Sequence, residues 1–259
     1  EACATGDQDG QLVAILSKTL VCHGASPLQD VFLHIHAAGR GRQMALHIGR
    51  VHIQVEHGEI AAGIDSILTL VDTTVSGYNK ASLLSRFNAG ETVVPNDLFC
   101  DIFSYCSDIY DETGGCVDVA SGPLFDIWGF GFKTDSLPSD ERVLLVLEEC
   151  RSGRVLNFNA IAQGYSCDVI ASYLHSIGVE DMLVNIGEIY CEGLNPGGRP
   201  WSVGVDNPVD GNNSPGQDMR GVWNSEGKSC GIVTSGNYRK FYVKDGKKYA
   251  HALDPRTGY

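Results

Sequence analysis

No run of this sequence approaches the roughly 18 consecutive apolar residues of a membrane-spanning helix, so no segment is read as crossing a bilayer. Positive charge is scarce: 19 Lys and Arg stand against 32 Asp and Glu, a net charge of −13 over 259 residues. That balance excludes sequence-independent nucleic-acid binding, where the phosphate backbone needs a basic footprint, and a polybasic membrane-surface role. The opening EACATGDQDG has neither a basic segment nor an apolar core, so no export signal is read there. A processed chain would begin the same way, which leaves secretion open. The nine cysteines (3, 22, 100, 106, 116, 150, 167, 191 and 230) include no CxxC pair, so a structural zinc site is not expected. They are too sparse for a disulfide scaffold and read as small buried hydrophobes, with room for one bridge. Several catalytic signatures are missing too. There is no GxxxxGK[ST] loop, no GxGxxG between a strand and a helix, no GxSxG elbow and no HExxH.

What remains has the composition of an acidic soluble enzyme or binding protein, 43% hydrophobic and 20% charged with a mean hydropathy of −0.07. Residues 1–58 hold six of the eight histidines (23, 34, 36, 47, 52 and 57) and a small cluster of Arg40, Arg42 and Arg50. Val31 to His36 alternates as a strand would, placing His34 and His36 on one face. With His47, His52 and His57 they could hold a metal, but no Asp or Glu stands at matching spacing, and strand histidines are the plainer reading.

Ile60, Ile64, Ile67, Leu68 and Val71 then form one helical stripe. A second helix runs from an Asn96 cap through Ile109 to Gly114-Gly115. A third opens at Pro138-Ser139 and ends near Cys150, and a fourth covers about Ala162 to Ile177 with Gly178 behind it. Strands are expected at Met182–Ile186, Ile189–Glu192, Trp201–Val205, Ile232–Ser235, Lys240–Val243 and Lys248–Leu253. The last two flank Asp245-Gly246, a hairpin turn whose central residues take positive φ. Early helices and late antiparallel strands give an α+β fold without a linker that would divide the chain.

Three stretches carry candidate chemistry. In TGGCVDVASGPLFDIWGFG (113–131), glycines beside aromatic rings let backbone approach something flat; a tight, aromatic-plugged turn would read the same. In LNFNAIAQGYSCD (156–168), a turn feeds a helix N-terminus, which suits a pyrophosphate, while Asn157, Asn159 and Gln163 offer neutral amides. Simple capping explains that pattern equally well. VTSGNYRKF (233–241) and YAHALDPRTG (249–258) carry Ser235, Tyr238, Arg239, His251, Asp254 and Arg256 on a hairpin's two arms. A histidine near an aspartate suits general acid–base work; alternatively Asp254 caps the Pro-Arg-Thr-Gly turn.

Taken together, SGYNKASLLSRFN (76–88), 113–131, NFNAIAQGYSCDVIA (157–171), VNIGEIYCEGLNPGGRPWSVGV (184–205) and VTSGNYRKFYVKDGKKYAHALDPRTGY (233–259) resemble, in order, the motifs of the ApbE family of FAD:protein FMN transferases. The resemblance covers about residues 60–259, and its AIAQGYSCD and NIGEIYCEG wording is most similar to the form found in Bacteroidetes. It implies a single α+β domain over 59–259, with 1–58 an atypical N-terminal region of the same domain. Such enzymes take FAD and Mg²⁺ and move FMN onto a threonine or serine hydroxyl of an acceptor protein, outside the cytoplasmic membrane and often as lipid-anchored lipoproteins.

By the same resemblance Tyr78 lies against the flavin nucleotide, and Cys116, Val117 and Asp118 fall on a stretch that contacts FAD. Asn157, Gln163 and Leu253 fall on further FAD contacts, and Ala160 on the residue whose main-chain oxygen binds magnesium. His251 is the base or leaving-group partner by position. The family's opening Gly-Thr-x-Tyr strand has only a loose counterpart in Leu46–Val55, and the spacer between Phe132 and Leu156 is short. Relatives continue into an Ala-Asp-Ala-x-x-Thr segment whose Asp and Thr supply metal ligands and which these 259 residues do not contain, so either the sequence is cut short of it or weak magnesium binding is expected. The chemistry is an in-line displacement at the flavin-side phosphate with AMP leaving. Hydrolysis of FAD to FMN and AMP is the alternative within enzymes; a catalytically silent FAD-binding envelope protein and a structural or adhesion protein are the alternatives outside them.

Overall fold

The computed structural model describes residues 2–6, 12–16, 45–48, 57–131, 137–209, 216–235, 241–244 and 246–259. The expected Val31–His36 strand, with His34 and His36, lies outside them, as do Tyr238 and Arg239. Six helices are described: α1 (His57–Val75), α2 (Leu83–Asn88), α3 (Asp97–Glu112), α4 (Gly122–Ile127), α5 (Asp140–Cys150) and α6 (Ala162–Ser176). The ten described strands are β1 (Ala2–Gly6), β2 (Leu12–Leu16), β3 (Ala45–Ile48), β4 (Met182–Asn185), β5 (Ile189–Glu192), β6 (Ser202–Asp206), β7 (Met219–Asn224), β8 (Cys230–Ile232), β9 (Phe241–Lys244) and β10 (Lys247–Ala250). The chain is α+β, as expected, and forms two compact units, one of 1–67 with 163–239 and the other of 68–162 with 240–259.

The first unit holds two antiparallel four-stranded sheets, ordered β1-β2-β6-β7 and β3-β4-β5-β8. Leu183, Ile189, Cys191, Trp201 and Val203 bury themselves together, with Trp223, Cys230 and Ile232 packed against them. The expected α1 stripe buries Ile60 and Ile64 completely. Gly63 leaves room for the Tyr173 ring of α6, whose hydroxyl donates to the Glu59 carbonyl at 3.4 Å. β3 covers the start of the loosely matched Leu46–Val55 segment and pairs with β4, Leu46 opposite Val184.

The second unit is the helical one, with β9 and β10 as its only described strands. Its helices begin where short polar side chains satisfy the free first-turn amides. Asn96 accepts from Phe99 N at 3.0 Å, Ser139 from Arg142 N at 3.3 Å, and Ser82 from Ser85 N at 3.0 Å. Leu124, Ile127 and Trp128 pack on Val143, Val146, Leu147 and Cys150 of α5, and Tyr242, Tyr249 and Leu253 close over them. The expected hairpin forms as β9–β10, with Lys244 opposite Lys247 and Gly246 at φ +74.

Two expectations need correction. The strand placed at Ile232–Ser235 is instead Cys230–Ile232, because its partner β5 starts at Ile189, opposite Ile232. Past that point Thr234 N donates to the Glu188 carboxylate at 3.2 Å and leaves the ladder. β10 ends at Ala250, so His251 and Leu253 lie beyond the strand that was to carry them. β7, α2 and α4 were not anticipated.

Candidate functional site

The 113–131 stretch begins where α3 runs out. Gly114 and Gly115 take φ values of +57 and +78, and Gly115 N returns to the Tyr110 carbonyl at 2.8 Å, closing the helix. The Thr113 hydroxyl accepts from Val117 N at 3.2 Å. Cys116 is left exposed and Val117 half-buried. Asp118, also half-buried, accepts from Ala120 N at 2.8 Å and so caps a short 3₁₀ turn, Val119–Ser121, that leads through Gly122 and Pro123 into α4.

This turn is held directly to the second stretch: Asn157 N donates to the Val119 carbonyl at 2.7 Å. A Cβ at Gly122 would stand 3.1 Å from the Asn157 Cβ, so the glycine sets how closely the strands of backbone approach. From the other side Asn88 clamps Leu156, its amide donating to the Leu156 carbonyl at 2.8 Å and its oxygen accepting from Leu156 N at 2.9 Å. Phe158 is buried with its ring edge-on to Phe99, the centroids 5.5 Å apart. The fixed Leu156–Phe158 backbone presents Asn159 and Ala160 as an exposed turn just before α6. The Asn157 side-chain oxygen accepts from Asn159 N at 2.8 Å and shapes that turn.

The C-terminal arm reaches the same unit through its aromatic rings. Phe130 stacks on Tyr242 at 5.2 Å, Tyr242 on Tyr249 at 5.6 Å, and Tyr249 on Trp128 at 5.4 Å. The ladder plugs the fold beside α4 and α5, the alternative reading of the aromatic glycine-rich stretch. The half-buried His251 sets its ring edge against Phe130, with centroids 6.4 Å apart.

Beyond it, Asp254 takes the capping role. Its backbone carbonyl accepts from Gly258 N at 2.8 Å, and its carboxylate accepts from Arg256 N at 2.9 Å and from the Arg256 guanidinium at 2.8 Å. Those bonds, the side-chain one first, hold the Asp254 carboxyl down at about 2. The carboxylate is thus committed to its own turn. Gly258 lies against Val143 and Leu124, where a side chain would not fit, and its carbonyl accepts from Trp128 Nε1 at 2.8 Å. Arg256 lies within electrostatic reach of Cys116, so the C-terminal turn and the 113–118 turn share one neighbourhood.

Of the residues singled out in the sequence, the structure therefore gathers Cys116, Val117, Asp118 and Asn157 around Val119, with Ala160 on the adjoining turn. Leu253 points into the helical core. Tyr78 is 66% exposed on the separate turn between α1 and α2, fixed by the Ser82 hydroxyl donating to the Ser76 carbonyl at 2.7 Å. Gln163 belongs to the other unit, where its amide donates to the Ile186 carbonyl at 3.1 Å beside Gly187, itself at φ +111. Sequence reasoning missed Asn88, which acts across the chain without a local pattern. Among the described residues no three His, Cys, Asp or Glu side chains converge on a metal position.

A family model described as the ApbE family matches residues 48–259. The FAD:protein FMN transferase of Vibrio cholerae is 32% identical over 95% of this chain and 78% of that protein. That of Escherichia coli K12 is 29% identical over 77% of this chain, which spans only 62% of its length. Among solved structures, the apo form of Pseudomonas stutzeri flavinyl transferase ApbE superposes with a TM-score of 0.72 at 27% identity, covering 89% of this chain and 76% of that one. The flavin transferase ApbE of Vibrio cholerae gives 0.71 at 28% identity, with 90% and 78% covered.

Proposed function

Because the chain belongs to the ApbE family, we propose that it is a FAD:protein FMN transferase, moving FMN from FAD to a threonine or serine hydroxyl of an acceptor protein with AMP as leaving group. The observation that carries this reading is the Asn157–Val119 hydrogen bond, which joins two family-like motifs into one rigid surface of backbone turns. On that surface Cys116, Val117 and Asp118 contact FAD. Asn157, its side-chain oxygen engaged by Asn159 N, offers its amide nitrogen to the nucleotide. Tyr78 covers the flavin nucleotide, and Leu253 contributes through its main chain, since its side chain is committed to the core. Gln163, its amide donating to the Ile186 carbonyl, stands in the first turn of α6, where the positive end of the helix dipole favours a pyrophosphate. His251 accepts the proton of the incoming hydroxyl as it attacks the flavin-side phosphate.

Magnesium belongs to the same reading as the companion of the pyrophosphate. The side chains described here do not fit a metal ion by themselves, and Ala160 supplies a single carbonyl, so no step is assigned to the ion. We place the enzyme outside the cytoplasmic membrane, in the periplasm or lipid-anchored at the inner membrane. Cell fractionation tests that, with recovery in the cytosol as the contrary result.

The activity is tested by incubating the protein with FAD, Mg²⁺ and a threonine-bearing acceptor protein, followed by mass spectrometry. An FMN adduct on the acceptor with stoichiometric AMP is expected. FMN and AMP without an adduct would instead establish FAD hydrolysis. In competition FAD should bind more tightly than FMN, which lacks the second phosphate and the adenosine; equal affinities would remove the proposed pyrophosphate contact.

A further inference from the structure

Cys191 on β5 and Cys230 on β8 are direct partners in the antiparallel register. Residues so paired project from the same face of the sheet with Cα atoms about 4.5–5.5 Å apart, inside the range of about 4.4–6.8 Å that a disulfide spans. Both side chains meet one apolar cluster, Cys191 as a fully buried member and Cys230 packed against it and half-buried. β8 is three residues long and, among the described strands, lies at the edge of its sheet, bonded there to β5 alone. Two facing thiols, one reachable from solvent and one shielded, differ from the other buried cysteines among the described residues. Cys106, Cys150 and Cys167 have no cysteine opposite them in any described ladder.

We propose that Cys191 and Cys230 form a redox-modification site, closing into a cross-strand disulfide by exchange with a small-molecule disulfide such as oxidised glutathione. The half-exposed Cys230 thiolate attacks one sulfur of the donor, forming a mixed disulfide and releasing one thiolate. Cys191 then attacks the Cys230 sulfur, forming the protein disulfide and expelling the second thiolate. The two cysteines are oxidised by two electrons, the donor disulfide is reduced to two thiols, and the two cysteine protons end on those thiols. The bond staples the edge strand β8 to β5 and closes the chain through β6 and β7 into a covalent loop. Burial pushes the Cys191 thiol up to about 11, so the second step draws on a small thiolate fraction.

The test treats the full chain with oxidised glutathione, alkylates the remaining thiols, and maps digested peptides by mass spectrometry without reduction. A Cys191–Cys230 peptide lighter by two hydrogens is expected, and its closure from the mixed disulfide should accelerate about tenfold per pH unit between pH 7 and 9. Oxidation should raise the Tm by about 5–10 °C in the unsubstituted protein and leave Cys230→Ser unchanged. Because Cys230 is only half-buried, that variant is the one chosen to keep the fold, and Cys191→Ala repeats the comparison at the shielded partner. Glutathione persisting on Cys230 while Cys191 remains alkylatable overturns the proposal. So does Cys230 recovered in a bond to any other cysteine, or an equal Tm rise in Cys230→Ser. None of these readouts depends on flavin transfer.

Discussion

Asn157 N and the Val119 carbonyl, 38 positions apart in the chain, meet at 2.7 Å, and no side chain intervenes between their two backbone turns at Gly122. Gly122 has φ −44, which any residue adopts, so its role is space and not backbone freedom. Gly122→Ala would set a methyl group 3.1 Å from the Asn157 Cβ and push the turns apart by a few tenths of an ångström. The expected cost in stability is about 1 kcal/mol, while FAD affinity falls about tenfold. Calorimetric titration with FAD and a thermal melt separate the two effects. An unchanged affinity would mean that the spacing of these turns does not shape the nucleotide site.

Asp118 caps the 3₁₀ turn through Ala120 N, so Asp118→Ala loses about 1 kcal/mol from the cap alone. Its effect on FAD binding should exceed that of Asp108→Ala, whose side chain is exposed on α3. Side-by-side FAD titrations decide the matter. Equal affinities for the two variants would reduce the 113–131 turn to a structural element.

What the sequence made legible is what local chemistry encodes. Asn96 and Ser139 cap α3 and α5 because a short oxygen-bearing side chain three residues ahead of a free amide reaches it without help from the rest of the fold. Ile60 and Ile64 point inward because their spacing matches the helical period. β7 was illegible for the opposite reason: most of its residues are exposed, so no alternation of apolar and polar positions marks it. α4 has only six residues and opens on Gly122-Pro123, which reads as a turn until α5 packs against it. At the site, the motif residues were visible, but the bonds that join them are nonlocal. Asn88 to Leu156 and Asn157 to Val119 leave no periodic trace in either segment, and Asp254 could be assigned to its cap only once Arg256 was seen to fold back on it.

Asn88 satisfies both the N–H and the carbonyl of the buried Leu156, the residue that leads into the Asn157 turn. Asn88→Ala strands both groups, at an expected cost of about 2 kcal/mol. Asn88→Asp keeps an acceptor for Leu156 N but puts a carboxylate against the carbonyl, so it should not restore stability. Denaturant unfolding measures both. A wild-type midpoint in the alanine variant would show that another donor and acceptor replace the clamp.

Glu188 sits half-buried after β4, where desolvation raises its carboxyl above the ordinary range and the hydrogen bond from Thr234 N lowers it in part. Asp168 in the same unit is also raised by burial. A raised carboxyl means that the folded state holds the proton more tightly than the unfolded chain does. Its contribution is therefore most favourable below the unfolded value of about 4.3 and is lost as pH rises through the raised folded value. At pH 8 the ionised Glu188 works against the fold, whereas Glu188→Gln removes the charge and keeps an oxygen for Thr234 N. The variant should melt at a higher temperature than the unsubstituted protein at pH 8, and the gap should close as pH falls to about 4. Thermal melts of both proteins across that range check it. A gap of the opposite sign at pH 8 would mean that the fold favours the carboxylate, and that the turn before β5 is built to hold a negative charge.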